Sequence, residues 1–312
     1  MRLGWTRSLP ELTPTADAVQ AMVRAGLPDA RLPGFENLTG GFANTNIRVD
    51  LEDGPVLLRL YQRDARQAAK EAAVAALLAG TVPVARFRHI GRHESYNFAL
   101  VEWIDGPRLE LALPAMEPKA KHAAGRAAGK ALAATHRFTY DQVGFLNADL
   151  KVDFPILEGF LLTFLRGSLI DGQANGLLGD ALARAAMDYA AANQHLKWGG
   201  KPCLVHSDFN GSNILMRGTD IAAVVDWEFA MSGRPDIDFG NLLRNHRDEE
   251  FICGVVDGYR ASGGVLPDNW RTLARLSDLV AWADILSRPG VHQSIVDSAK
   301  AAIAETVDGA AR

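Results

Sequence analysis

The hydrophobic texture of this chain changes near Gly106, and that change limits the folds open to it. Before Gly106, apolar residues come in short runs broken by turn signals. The stretch "FENLTGGFANTNIRVDLEDGPVLLRLY" reads as strand, glycine turn, strand, hairpin turn at Glu52-Asp53-Gly54, and strand. A helix over Thr15–Ala25, closed by Gly26 and Pro28, precedes it. A second helix, "DARQAAKEAAVAALLAG", follows, with Asp64 to cap its start and Gly80 its end. "RFRHIGRHES" reads as strand and turn, so His89 and His93 do not share a helical face as a metal pair. "NFALVEWIDG" is a further strand. Beyond Gly106 the pattern is helical, beginning with the Ala- and Gly-rich "EPKAKHAAGRAAGKALAATHRF". One strand-rich island interrupts it, "CLVHSDFNGSNILMRGTDIAAVVDWEFA". The expectation is a strand-rich N-terminal domain, residues 1–105, and a larger helical domain, residues 106–312. A crevice between two such units is a usual ligand site.

Length agrees with this division, since 312 residues at about 150 per domain suggest two units. Thirty-three Lys and Arg against 37 Asp and Glu leave a net charge of −4. That balance argues against a nucleic-acid partner, which calls for a basic surface. Two cysteines, Cys203 and Cys253, make no disulfide framework and read as inert buried thiols. The N-terminus has no apolar signal core, and "AAVAALLAG" is too short to span a bilayer. A cytoplasmic protein without a membrane partner is expected. No feature of the sequence points to a particular oligomeric state.

The island carries the chemistry. In "HSDFNGSN", Asp208 sits in a polar loop after an apolar strand, and Asn213 follows five residues later. Asp226 ends the next apolar strand, thirteen residues beyond Asn213. An Asp without a charged neighbour in sequence can take a proton from a hydroxyl. An Asn oxygen and an Asp carboxylate are hard ligands of the kind Mg²⁺ binds beside phosphate oxygens. A His206–Asp208 nucleophile system is a poorer reading, because no serine elbow or cysteine motif accompanies it.

"HSDFNGSN" followed by "DWE" resembles the aminoglycoside phosphotransferase family, which includes choline- and homoserine-kinase relatives and is a distant cousin of the protein kinases. The resemblance runs from about Leu38 to Trp282. It implies a two-lobed, protein-kinase-like α+β fold: a small antiparallel-sheet N-lobe and a larger helical C-lobe. It implies an ATP- and Mg²⁺-dependent kinase, with GTP as the alternative donor, acting on the hydroxyl of a small-molecule acceptor. Asp208 then matches the catalytic Asp, and Asn213 and Asp226 match the metal ligands. His206 matches the histidine that braces the catalytic turn. Asp238 matches a structural Asp that ties the following helix to that turn. "GGFANTN" matches the turn over the phosphates, with Gly40 and Gly41 giving close backbone approach and Asn44 and Thr45 adding side-chain bonds. Arg59 stands at the strand position where protein kinases carry Lys, and Glu71 matches its acidic partner. The backbone of Glu102, Trp103 and Ile104 matches the hinge that meets the base; the Trp103 side chain reads as an inward core aromatic, or else as a contact for adenine.

Several positions depart from the protein-kinase pattern. Ser207 replaces the usual Arg, Asp226-Trp227-Glu228 is not D-F-G, and only about ten residues separate Asp226 from Asp236. That leaves no room for a long activation loop and favours a small-molecule kinase over a protein kinase. A nucleotide-binding module without catalysis is the other alternative, against which the intact trio Asp208, Asn213 and Asp226 argues. Asn241–Lys300 holds eight acids and seven Lys or Arg. Such balance suits a weakly charged metabolite better than a polycationic aminoglycoside, whose ammonium groups need acidic partners once desolvated. Asp278 and Trp282, one helical turn apart, are expected to meet a single cationic or hydroxylated group, or Trp282 to pack in the core.

Overall fold

The computed structural model describes residues 9–32, 34–38, 44–246 and 248–308. The N-terminal region comprises α1 (Ala16–Gly26), β1 (Gly34–Leu38), β2 (Thr45–Asp50), β3 (Val56–Tyr61), α2 (Arg66–Leu78), β4 (Phe87–His93) and β5 (Tyr96–Glu102). The strands form an antiparallel sheet in the order β1-β2-β3-β5-β4. Strand periodicity places Leu58 and Leu60 of β3 on one face, where they pack with Val19, Met22 and Val23 of α1. Leu57 and Tyr61 lie on the other face with Ala68 of α2. Thr15 caps α1, its Oγ1 accepting the Ala18 N–H at 3.3 Å. Asp64 serves α2 from one residue outside its boundary, which falls at Ala65: its Oδ1 accepts the Arg66 N–H at 2.9 Å.

The C-terminal region is helical around two small sheets. Its elements are α3 (Leu109–Ala112), α4 (Pro118–Thr135), β6 (Gly144–Leu146), β7 (Val152–Pro155), α5 (Phe160–Leu165), α6 (Gln173–Leu178), α7 (Asp180–Asn193), β8 (Cys203–Val205), β9 (Ile214–Arg217), β10 (Asp220–Val224), β11 (Met231–Gly233), α8 (Asp236–Asn245), α9 (Glu249–Ala261), α10 (Trp270–Leu286) and α11 (Gln293–Asp308). Strands β9 and β10 pair as a hairpin, and the other four pair in the order β7-β6-β11-β8. Gly106 joins the two regions where no side chain fits: a Cβ there would stand 2.3 Å from the Met216 carbonyl oxygen. The Pro107 carbonyl accepts the Met216 N–H at 2.9 Å, and the Pro83 carbonyl accepts the Val224 N–H at 2.8 Å, so backbone bonds seat the sheet region on the β9–β10 hairpin. Cys203 is buried as expected, but Cys253 is exposed, because it falls on the outer face of α9.

Helices α4 and α9 touch backbone to backbone. A Cβ at Gly125 or Gly129 would lie 2.1 Å from the carbonyl of Phe251 or Val255. One at Gly254 or Gly258 would lie 2.1 or 2.2 Å from that of His122 or Arg126. The small-residue stripe of α4 therefore exists for this contact. Gly129→Ala gains helix propensity but forces the helices apart, and should lower stability by about 1–3 kcal/mol net, as overpacked cores do. Chemical denaturation checks this; a stabilised variant would show that the interface yields freely.

Candidate active site

The loop after β8 is held from behind by α8. Asp238, fully buried in the first turn of α8, accepts the His206 N–H on Oδ2 at 2.9 Å and the Ser207 N–H on Oδ1 at 2.8 Å. Its Oδ2 also lies 3.2 Å from His136 Nε2. His206 braces the turn in both directions, with Nδ1 accepting the Asp208 N–H at 3.2 Å and Nε2 at 3.0 Å from the Val225 carbonyl. The loop bends through Ser207, which holds a left-handed φ of +64°. Left-handed backbone at a non-glycine residue costs on the order of 1–3 kcal/mol and persists where surrounding bonds enforce it. Here those bonds are the two to Asp238.

Asp208 is thereby presented, half-buried, with its carboxylate oriented by amides. Its Oδ1 accepts from Asn210 Nδ2 at 2.6 Å, and its Oδ2 from Asn213 Nδ2 at 2.8 Å. Asn213 Nδ2 also donates to the Asp208 carbonyl at 2.9 Å. With its NH₂ group so engaged, the ligand atom left on Asn213 is Oδ1. Asp226 follows β10, also at a left-handed φ, +68°.

Arg59 joins these loops to the sheet. Its Nη2 lies 2.5 Å from Asp226 Oδ1, 3.3 Å from Glu71 Oε1 and 3.7 Å from Glu228 Oε2. The Arg59–Glu71 pairing is therefore present, yet Asp226 is the nearer partner. Glu228 was not singled out from sequence. The available signal was a second acid two residues after Asp226 in an otherwise apolar stretch. One guanidinium thus faces three carboxylates, and oxygens of Glu71, Asp226 and Glu228 lie within 4.8 Å of one another. Such a set of hard oxygens fits a divalent cation of the Mg²⁺ type.

The electrostatics follow from burial. Desolvation pushes the Glu71 carboxyl up to about 8; Arg59 opposes this, while Asp226 and Glu228 add to it. Desolvation and the Asp226 charge likewise raise Glu228. Burial disfavours the charge on Arg59, but Asp226 and Glu71 outweigh it and raise its pKa well above the ordinary value. Because the folded-state pKa of Glu71 is raised from 4.5 to about 8, its contribution to stability is complete below about 4.5 and is lost as pH rises through about 8. Thermal unfolding in EDTA should show that loss in the wild type and a flatter profile in Glu71→Gln. An unchanged profile in the variant would assign the dependence to other groups.

Arg59, Glu71, Asp208, Asn213 and Asp226 line one cleft of about 1420 Å³ together with Glu102, Trp103 and Ile104. Trp103 is not an inward core aromatic. It is half-buried on the cleft, because Nε1 donates to Asp105 Oδ1 at 2.7 Å and Arg48 lies over its ring. The Glu102 N–H donates to the Arg86 carbonyl at 2.8 Å, so that donor is already engaged. Asn44 and Thr45 are buried and hold internal partners. Asn44 Nδ2 donates to Glu228 Oε2 at 2.8 Å, while Thr45 Oγ1 accepts the Leu12 N–H at 3.0 Å. Gly40 and Gly41 lie outside the described residues. Asp278 and Trp282 do meet one cation, but it is the chain's own Arg244: its Nε donates to Asp278 Oδ1 at 2.6 Å and its guanidinium lies 5.5 Å from the Trp282 ring centre. That pair is not free to receive an acceptor.

An antiparallel-sheet region over a helical region, with a loop Asp, a neighbouring Asn and a strand-end Asp on the cleft between them, defines a kinase-like phosphotransferase architecture. A family profile described as "Phosphotransferase enzyme family" (APH) matches residues 34–276, and the chain belongs to that family. As a member it is an enzyme that transfers phosphate to hydroxyl groups. Among solved structures it is similar to the aminoglycoside phosphotransferase APH(4)-Ia, with 18% identity, a TM-score of 0.69, and 94% of this chain and 99% of that one covered. It is also similar to the GDP complex of a variant of aminoglycoside 2'-phosphotransferase-IIIa, with 19% identity, a TM-score of 0.73, and 95% and 98% covered. No curated protein sequence matches the chain. Among the described residues, no helix is long and apolar enough to cross a membrane.

Proposed function

We propose that the chain transfers the terminal phosphoryl group of ATP to a hydroxyl of a small molecule. The observation that carries this reading is the bonding of Asp208: two amides fix its carboxylate on the cleft, and one of them, Asn213, keeps an oxygen for a metal. Asp208 accepts the hydrogen bond of the acceptor hydroxyl, aims its oxygen and takes its proton as the new O–P bond forms and the bond to ADP breaks. No covalent enzyme intermediate is required, since positioning and electrostatics supply most of such catalysis. Asn213 Oδ1 and Asp226 would hold Mg²⁺, which neutralises phosphate charge when bound. Arg59 holds the phosphates together with Gly40 and Gly41, which lie outside the described residues, and the Glu102–Ile104 segment meets the base.

The division at Gly106 fits these roles: residues 1–105 handle the nucleotide, and 106–312 carry catalysis and the acceptor. We assign the reaction to the cytoplasm, where the ATP pool lies. The acceptor on this reading is a weakly charged hydroxylated metabolite and not an aminoglycoside, because Arg244 already occupies Asp278 and Trp282. ADP release coupled to NADH oxidation, screened over alcohol metabolites and antibiotics with ATP and GTP, tests the reading. ATP turnover that requires both Mg²⁺ and an alcohol is expected. Transfer to a peptide hydroxyl in preference to every small molecule would overturn it.

A further inference from the structure

Resting on that reading, we propose that the acceptor has a largely apolar body, seated on an aromatic wall beside Asp208. Phe145, Leu157, Phe160, Phe164 and Phe229 all line the same cleft as Asp208. Four of them are well exposed: Phe145 at 52%, Leu157 at 75%, Phe160 at 41% and Phe229 at 39%. One exposed apolar residue means little, but several lining one cleft mark a binding surface. Phe160 and Phe164 stack at 5.5 Å along one face of α5. Below them the helix widens into a π-type turn, Arg166–Ile170, closed by the Asp171 N–H to the Arg166 carbonyl at 3.1 Å. Such turns are frequent at functional sites.

Several polar groups of this cleft are bonded to other groups of the chain. Arg244 bonds Asp278 at 2.6 Å, Arg288 bonds Asp284 at 2.6 Å, and Arg234 bonds Asp236 at 3.1 Å. Lys197 lies 4.0 Å from Glu158. Asn241 Oδ1 accepts from Arg244 at 2.6 Å, and Ser277 donates to Asp236. An acceptor bearing several ammonium groups finds each of these carboxylates already matched to a cation. Ser207 Oγ, buried on the cleft without a hydrogen-bond partner, serves one hydroxyl and not the several of a polyol. An apolar body loses nothing here and gains by covering the phenyl rings.

The test measures acceptor-dependent ADP release with Mg·ATP for geraniol, 2-phenylethanol and 1-octanol against choline, inositol and kanamycin. Calorimetric binding of the same compounds to protein saturated with Mg·ADP runs in parallel. The apolar alcohols should bind at least about tenfold more tightly than inositol. Phe160→Ser should weaken them about tenfold while leaving the Kd for Mg·ADP unchanged. Tighter binding or faster turnover of kanamycin, choline or inositol would overturn the apolar acceptor and leave the kinase reading standing. So would apolar binding that Phe160→Ser and Phe164→Ser both leave unchanged. Failure of Mg·ATP to bind would overturn the kinase reading itself, and the acceptor proposal with it.

Discussion

Asp208→Asn is expected to lower turnover by about 10²–10⁴-fold, the usual worth of a positioned general base. The carboxylate is the cleft group best placed for this work, since two amides orient its oxygens on the cleft. Asn210 and Asn213 donate to Oδ1 and Oδ2 at 2.6 and 2.8 Å. These are neutral donors, which orient the carboxylate without neutralising it. The substitution has one side effect: the new NH₂ must face one of those two amides. Asp208→Ala, measured alongside, removes that clash, and the two variants should lose turnover alike. Affinity for Mg·ADP should change by less than about tenfold in Asp208→Ala, because Asp208 is not proposed as a metal ligand. Turnover above a tenth of wild type in both variants would remove Asp208 from the base role.

Asp226→Ala should split nucleotide binding according to metal. Mg·ADP is expected to weaken by more than the roughly 10–100-fold that loss of an outer-shell partner costs a metal site. Metal-free ADP should bind no more weakly than to wild type. The reason is Arg59, which has Asp226 as its nearest carboxylate at 2.5 Å and is left with Glu71 and Glu228 in the variant. A guanidinium released from one of three carboxylates is freer to pair with phosphate. Removing that negative charge also lets Glu71 fall from its raised pKa, to which Asp226 contributes after burial. Calorimetry with and without Mg²⁺ separates the arms. Equal weakening in both would mean that Asp226 acts through packing and not through a metal.

Local pattern made much of this readable before any coordinates. The alternation in "VLLRLY" is a property of six adjacent residues, so the face carrying Arg59 followed from strand geometry. The loop "HSDFNGSN" between apolar strands announced a presented Asp, and Asp238 ties it to α8 as the resemblance implied. What escaped was pairing across distance. Arg59 and Asp226 stand 167 residues apart, and no spacing rule says that they touch or that Glu228 joins them. Asp278 and Trp282 were rightly read as sharing a helical face, but the cation they meet comes from α8. Trp103 was misread because inward packing is the average fate of a Trp beside a strand, whereas here Asp105 and Arg48 hold it on the cleft.

The sequence by itself thus showed the change from strand-rich to helical texture near Gly106 and the loop and strand-end placement of Asp208, Asn213 and Asp226, but not β6, β7 or β11, which lie outside the one strand-rich island it displayed. That texture and those placements depend on backbone propensities and on periodicities a few residues long. The tertiary structure alone decided that one arginine faces three acids, that α4 and α9 meet on bare backbone at four glycines, and that the exposed Phe145, Phe160 and Phe229 line the same cleft as Asp208. Each of these is set by which surfaces come together over the whole chain, where burial changes the energy of a charge or a missing side chain in ways no local pattern encodes.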